Sequence, residues 1–329
     1  MDNVKDNAKR EDNTSSGGFC RGSGGSNGGF CRGSDGGSNC GSCCGSGERL
    51  GGGLSGKYPL TGRENYSENT VVKVGNATIG DGTFAFIAGP CAVESEKQII
   101  ETATALKKSG VKILRGGAYK PRTSPYSFQG LGKEGLKFLR KAKEETGLAV
   151  VTEITDLRTL DLFDGVDMIQ IGARNMQNFE LLKEVGKFGK PVLLKRGFVN
   201  TVEEWLMSAE YIASNGALDI VLCERGVRTF ETLTRNTLDL GIIPLVKELT
   251  RLPVIIDPSH ASGNKKLIRP LTLAAAAVGA DGAIIECCVL PENAVCDGEQ
   301  AITPEELKEI ISAAAKVKEA AEKDGEASR

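Results

Sequence analysis

No run of apolar residues in this 329-residue chain approaches the roughly 20 needed to cross a bilayer, which argues against a spanning helix. Positive charge is not in excess either. The 41 Lys and Arg residues stand against 43 Asp and Glu, a net charge of -2, so wrapping nucleic acid through bulk charge is excluded. The first thirty residues are charged and Gly/Ser-rich without an apolar core, and no secretory signal is expected. A cytoplasmic, reducing compartment with free thiols is the matching expectation. No GxGxxG motif follows the first strong strand-like segment, which removes the fingerprint of a dinucleotide-binding sheet. Histidine occurs once, so His260 carries all the imidazole chemistry available.

Cysteine, by contrast, occurs ten times. Cys20, Cys31, Cys40, Cys43 and Cys44 lie in a segment made almost wholly of Gly, Ser, Asn and Cys. Within it Gly-Gly-Phe-Cys-Arg-Gly-Ser at 17–23 returns at 28–34, a period of 11. Glycine is costly to order, and little here is apolar enough to offset that cost. A metal or redox tract is the alternative reading, but Cys40 and Cys43 form a CxxC pair without a partner pair. Residues 1–56 are therefore expected to be a disordered low-complexity tail.

Composition changes near Lys57. A short β-hairpin is predicted around Gly75, within a linker-and-hairpin segment spanning 57–83. From 84 to 323 short aliphatic runs recur at Phe84–Ala88, Val111–Leu114, Leu148–Thr152, Met168–Ile171, Pro191–Leu194, Ile220–Cys223, Val254–Ile256 and Ala283–Ile285. Nearly continuous apolar runs of this length suit parallel strands buried on both faces. Amphipathic helices are predicted between or after them at Glu94–Lys108, Glu134–Thr146, Phe179–Phe188, Val202–Ala213, Phe230–Leu249, Leu267–Val278 and Pro304–Lys323. Eight strands alternating with helices in about 240 residues is the rhythm of an α/β fold of the (β/α)8 TIM barrel type. Residues 324–329 are left as a C-terminal tail.

Chemistry in such barrels sits at the C-terminal strand ends. Those ends carry Cys91, Arg115, Glu153, Arg174, Lys195, Glu224 with Arg225, Asp257 with His260, and Glu286. Burying so many charges at one mouth is costly unless a ligand or metal is the partner. Cys91, His260, Glu286 and Asp297 offer one soft ligand, one imidazole and two carboxylates. That mixture suits one divalent first-row ion and does not choose among manganese, iron, cobalt and zinc. Arg115, Lys120, Arg122, Arg174, Lys195, Arg196 and Arg225 make a local positive field in a chain with none overall. Seven cations exceed the need of one phosphate ester and fit two anionic substrates.

The motifs Gly89-Pro90-Cys91, Lys120-Pro121-Arg122-Thr123-Ser124, Gly172-Ala173-Arg174, Lys195-Arg196-Gly197, Cys223-Glu224-Arg225-Gly226 and Asp257-Pro258-Ser259-His260 follow one another in order. From about Val71 to Glu305 the chain resembles 3-deoxy-D-arabino-heptulosonate 7-phosphate (DAHP) synthase of type I-beta, the first enzyme of the shikimate pathway. The resemblance implies condensation of phosphoenolpyruvate with erythrose 4-phosphate. It also implies metal ligands at Cys91, His260, Glu286 and Asp297, a phosphoenolpyruvate site at Arg115, Lys120, Lys195 and Arg225, and a sugar-phosphate site at Arg122, Thr123 and Arg174. Cys91, Lys120 and His260 are the expected catalytic groups. A homo-oligomer, dimer or tetramer, is expected on the same ground.

The sister enzyme, 3-deoxy-D-manno-octulosonate 8-phosphate synthase, carries a Lys-Ala-Asn-Arg-Ser-like segment where this chain reads Lys120-Pro121-Arg122-Thr123-Ser124. That difference favours the four-carbon sugar. A third reading makes the barrel a degenerate scaffold for an interacting tail; retention of every ligand and cation position speaks against it. The chain also departs from the family pattern. Where a histidine usually stands two residues after the glutamate ligand, this chain has Cys288, expected on the face of Glu286 by the two-residue strand period. The tail lacks the apolar periodicity of the regulatory domains found in relatives, so no feedback inhibition through such a domain is expected.

Overall fold

The computed structural model describes residues 56–327. The expectations for the tail before Gly56 and for the chain beyond Ala327 lie outside the described residues. Strands β1 (Val72–Val74) and β2 (Ala77–Ile79) form an antiparallel hairpin with Val72 opposite Ile79. Eight parallel strands follow: β3 (Ala85–Gly89), β4 (Ile113–Arg115), β5 (Ala149–Ile154), β6 (Met168–Ile171), β7 (Val192–Lys195), β8 (Ile220–Glu224), β9 (Val254–Ile256) and β10 (Gly282–Glu286). They close into a barrel in chain order, β10 pairing β3 from Gly282 against Ala85 to Glu286 against Gly89.

The two-residue period divides the core in two. Ile87, Ile113, Val151, Met168, Leu193, Val221, Ile255 and Ile284 cluster inside the barrel, together with Val72, Val74, Ala77 and Ile79 of the hairpin. The hairpin thus extends the barrel's inner core. Alternate strand residues, among them Leu114, Ile169, Leu194, Leu222 and Ile285, pack outward against the helices.

The helices are α1 (Glu96–Lys108), α2 (Lys133–Thr146), α3 (Phe179–Phe188), α4 (Val202–Ala213), α5 (Ile242–Leu249), α6 (Pro258–Ser262), α7 (Lys265–Ala277) and α8 (Pro304–Ala327). Local chemistry sets several of their starts. Ser95 accepts the Gln98 N–H ahead of α1, and Thr201 with Glu204 forms a reciprocal cap on α4. Between β5 and β6 a 3-10 stretch, Leu157–Gly165, takes the place of an α-helix.

One predicted helix is corrected. Of Phe230–Leu249 only Ile242–Leu249 is helical. The earlier half carries Thr232, Thr234, Asn236 and Thr237, residues that compete poorly for helix. Val227 instead bridges Thr237, and the N–H groups of Arg235 and Asn236 donate to the carbonyls of Ser262 and Ala261. This loop therefore lies against α6.

Candidate active site

Two residues beyond the last inward apolar position of each strand, the same parity delivers a different ring. Arg115 follows Ile113, Glu153 follows Val151, Gln170 follows Met168, and Lys195 follows Leu193. Arg225, Asp257 and Glu286 follow Cys223, Ile255 and Ile284 in the same way. The eighth position is Gly89, where an added Cβ would lie 1.9 Å from the Arg115 carbonyl oxygen. A polar layer thus caps an apolar one by strand period alone.

At one side of the mouth, donor atoms of Cys91, His260, Glu286 and Asp297 all lie within 4.8 Å of one another. The single-turn helix α6 after β9 places His260, and Asp257 caps it by accepting the His260 N–H at 3.0 Å. The ring's Nδ1 faces Asp257 Oδ2 at 2.7 Å, and Nε2 faces Glu286 Oε1 at 2.9 Å. Burial would lower the imidazole pKa, but Asp257 and Glu286 outweigh it and raise it to about 10. Burial would likewise raise both carboxyls, yet His260 with Lys195 at Asp257, and His260 with Arg115 at Glu286, holds them well below the usual range. Glu286 also accepts from Arg115 Nη1 at 2.9 Å and from Gln300, while Lys195 pairs with Asp257.

Cys91 sits under Lys120, whose Nζ reaches its Sγ at 2.9 Å and its carbonyl at 3.0 Å. The contact with Cys296, burial and the Glu286 charge push the Cys91 thiol well up, against Lys120. Cys296 moves the other way, to about 7, through its hydrogen bond with Cys91 and, against burial, the nearby Lys120 and Arg122.

The donor cluster opens into a cavity of about 440 Å³. Arg115, Lys120, Arg122, Thr123, Arg174, Lys195, Arg225, His260 and Asp297 line it, so nine of the expected site residues meet in one space. Arg174, Arg225 and Arg228 crowd the Phe198 ring at 5.5, 4.6 and 5.0 Å. Arg115 Nε is buried with no hydrogen-bond partner among the described residues, a donor left for a bound acceptor.

Two expected strand-end charges do not join the site. Arg196 and Glu224 follow the inward residues Lys195 and Cys223 by one position, so strand parity turns them outward. They pair with each other at 2.9 Å, and Arg196 also faces Asp239 at 3.5 Å. Arg228, Arg235, Asn236 and Phe198 line the cavity without having been singled out from the sequence. Arg235 and Asn236 were absorbed into the over-extended helix; the Thr- and Asn-rich run around them was the available signal. Cys288 also departs from expectation. Past Glu286 the Cys287 N–H still donates to Gly89, but the Cys288 N–H donates to the Ile302 carbonyl, and Cys288 lines a separate cavity of about 250 Å³ with Glu94, Gln98 and Leu290. The thiol beside the donor cluster is Cys296, 3.6 Å from Cys91.

Residues 65–323 match the profile of the DAHP synthetase I family. The chain belongs to this family. Among relatives, a phospho-2-dehydro-3-deoxyheptonate aldolase of Thermotoga maritima is 52% identical over 264 residues, covering 80% of this chain and 78% of that one. The crystal structure of a phospho-2-dehydro-3-deoxyheptonate aldolase (DAHP synthase) from Thermotoga maritima, also 52% identical, superposes with a TM-score of 0.77 over 80% of this chain and 77% of that one. A 2-dehydro-3-deoxyphosphooctonate aldolase of Francisella tularensis is more distant, at 31% identity over 73% of this chain and 94% of its own. Among the described residues, no helix of this DAHP synthetase family member is long and apolar enough to cross a membrane.

Proposed function

We propose how the residues of this mouth divide the work of the DAHP synthase reaction. Phosphoenolpyruvate, erythrose 4-phosphate and water give 3-deoxy-D-arabino-heptulosonate 7-phosphate and inorganic phosphate. The observation that carries the reading is one cavity joining a four-donor cluster to many cations, sized for two small anionic substrates.

Cys91, His260, Glu286 and Asp297 hold a divalent ion, which when bound supplies a Lewis acid for the aldehyde oxygen. The donor set fits such an ion in chemistry and in spacing, and Asp257 holds the Nδ1 side of His260, leaving Nε2 toward the cluster. Arg115, Lys120, Lys195 and Arg225 bind phosphoenolpyruvate; the free Nε of Arg115 supports this. Arg122, Thr123 and Arg174 take the sugar phosphate. The methylene carbon attacks the aldehyde carbon, water adds to the carbon bearing phosphate, and the C–O bond to phosphate then breaks. Lys120 Nζ, charged and beside Cys91, is placed to give a proton to the developing alkoxide.

The assay that tests this is phosphoenolpyruvate consumption with erythrose 4-phosphate and arabinose 5-phosphate in parallel. Turnover is expected with the four-carbon sugar alone, lost on chelation and restored by a divalent metal. Turnover with the five-carbon sugar alone would assign the sister reaction. Metal binding should also release protons, because His260 and Cys91 both hold theirs at pH 7 in the metal-free protein. Calorimetric titration in buffers of different ionisation enthalpy should register about two protons per ion. A value near zero would remove His260 and Cys91 from the ligand set.

The enzyme works in the cytoplasm as a homo-oligomer on this reading, supported by its metabolite substrates and its family resemblance. Light scattering of the purified chain tests the assembly, and a dimer or tetramer is expected. If the segment 1–56 is accessory, its deletion should leave turnover within about twofold, and a loss of activity would assign the segment a role in the reaction.

A further inference from the structure

We propose that Cys296 supplies a second thiolate to the metal centre, so that the site prefers a thiophilic divalent ion over manganese. The proposal rests on the assignment of Cys91, His260, Glu286 and Asp297 as ligands and extends that set by one residue.

Backbone conformation is the first support. Consecutive side chains on an extended segment point apart, yet Cys296 and Asp297 both turn toward Cys91. Asp297 has φ 56°, the one non-glycine residue with positive φ among the described residues. That left-handed conformation is uncommon for a residue with a Cβ. It brings Cys296 Sγ to 3.6 Å and Asp297 Oδ2 to 3.0 Å from Cys91 Sγ.

Distance is the second. Two adjacent sulfurs on one five-coordinate zinc, each about 2.3 Å from the ion, stand about 3.3–4.0 Å apart, and an adjacent sulfur and carboxylate oxygen about 3.1–3.7 Å. The Cys91–Cys296 separation is 3.6 Å, and Cys296 Sγ lies 3.5 Å from Asp297 Oδ2. Both cysteines are buried and free, so the sulfurs are neither bonded to each other nor turned to solvent. Arg122 Nη1 donates to Cys296 Sγ, the placement of an outer hydrogen-bond donor to a ligating thiolate. Cys288, two residues past β10, lines a different cavity and offers no such geometry. A second soft donor favours zinc or cobalt over manganese, whose preferred ligands are oxygen-rich.

Cobalt(II) added at one equivalent to the metal-free full chain reads the thiolate count through its near-ultraviolet sulfur-to-metal absorption. Cys296→Ser should lower that absorption by about half and reduce the zinc-over-manganese affinity ratio about tenfold. Cys288→Ser should change neither. Thiols elsewhere in the chain are common to all three proteins and cancel in the difference spectra, and circular dichroism verifies that each variant is folded. Equal absorption and equal metal preference in wild type and Cys296→Ser would overturn the role of Cys296 while leaving the four-ligand site standing. No sulfur-to-metal band in the wild type would overturn both. If Cys296→Ser fails to fold, Cys296→Ala in the same measurements decides in the same way.

Discussion

Asp257→Ala should destabilise the protein by about 3–5 kcal/mol, because it strips the partner from two buried cations at once. Asp257 is fully buried and accepts from Lys195, from His260 Nδ1 at 2.7 Å and from the His260 N–H at 3.0 Å. Turnover should fall by ~100-fold in whatever fraction folds, since neither the imidazole nor Lys195 is then held in place. Chemical denaturation measures the first effect and steady-state kinetics the second. Asp257→Asn keeps the volume and should recover more stability than activity. A fully active Asp257→Ala enzyme would remove this residue from any positioning role.

The same network gives the metal-free protein a characteristic pH profile. The folded pKa of His260 is raised to about 10, so its contribution is complete below the unfolded value of about 6.5 and is lost as pH rises toward 10. Asp257 and Glu286 are lowered, so their contributions are present above about pH 4 and disappear as pH falls through their folded values. Without metal, the thermal midpoint should therefore decline between about pH 6.5 and 10. Asp257→Ala should flatten that decline. A midpoint independent of pH across this range in the wild type would contradict the protonated, ion-paired state of His260.

Gly89→Ala should prevent barrel closure. An added Cβ would meet the Arg115 carbonyl oxygen at 1.9 Å and its carbon at 2.9 Å, and both are backbone atoms that cannot rotate away. β3 and β4 run in register there, with Ala88 beside Leu114, so relief requires parting the strands at the mouth. The cost should exceed ~4 kcal/mol, a range reached only by a few mechanisms such as core overpacking. Soluble yield and thermal unfolding would show it. Gly110→Ala is the contrast: that glycine also has positive φ, 90°, but meets nothing within 4 Å. It should cost about 1 kcal/mol. Equal behaviour of the two variants would mean that β3 and β4 separate more easily than their packing implies.

The α/β alternation and the count of strands were legible because each is a local property: the apolar runs carry it and no partner is needed to see it. Residue chemistry at the strand ends singles out Cys91, His260, Glu286 and Asp297, and the fold brings their donor atoms within 4.8 Å of one another. What the sequence left open were side-chain directions and loop paths. Arg196 and Glu224 look like site residues in a linear reading, yet one step of strand parity turns them to pair with each other outside the cavity. Arg235 and Asn236 reach the mouth because the loop before α5 hydrogen-bonds to α6, a contact between segments about 25 residues apart that no local pattern announces. Cys296 lies beside Cys91, 205 positions away in the chain, and Cys288 turns into another cavity although it is two residues from Glu286. Sequence by itself determined the eight strands, most of the helices and the chemistry at the strand ends. Tertiary structure decided which charges share one space, because that depends on parity, closure and the non-local pairing of loops.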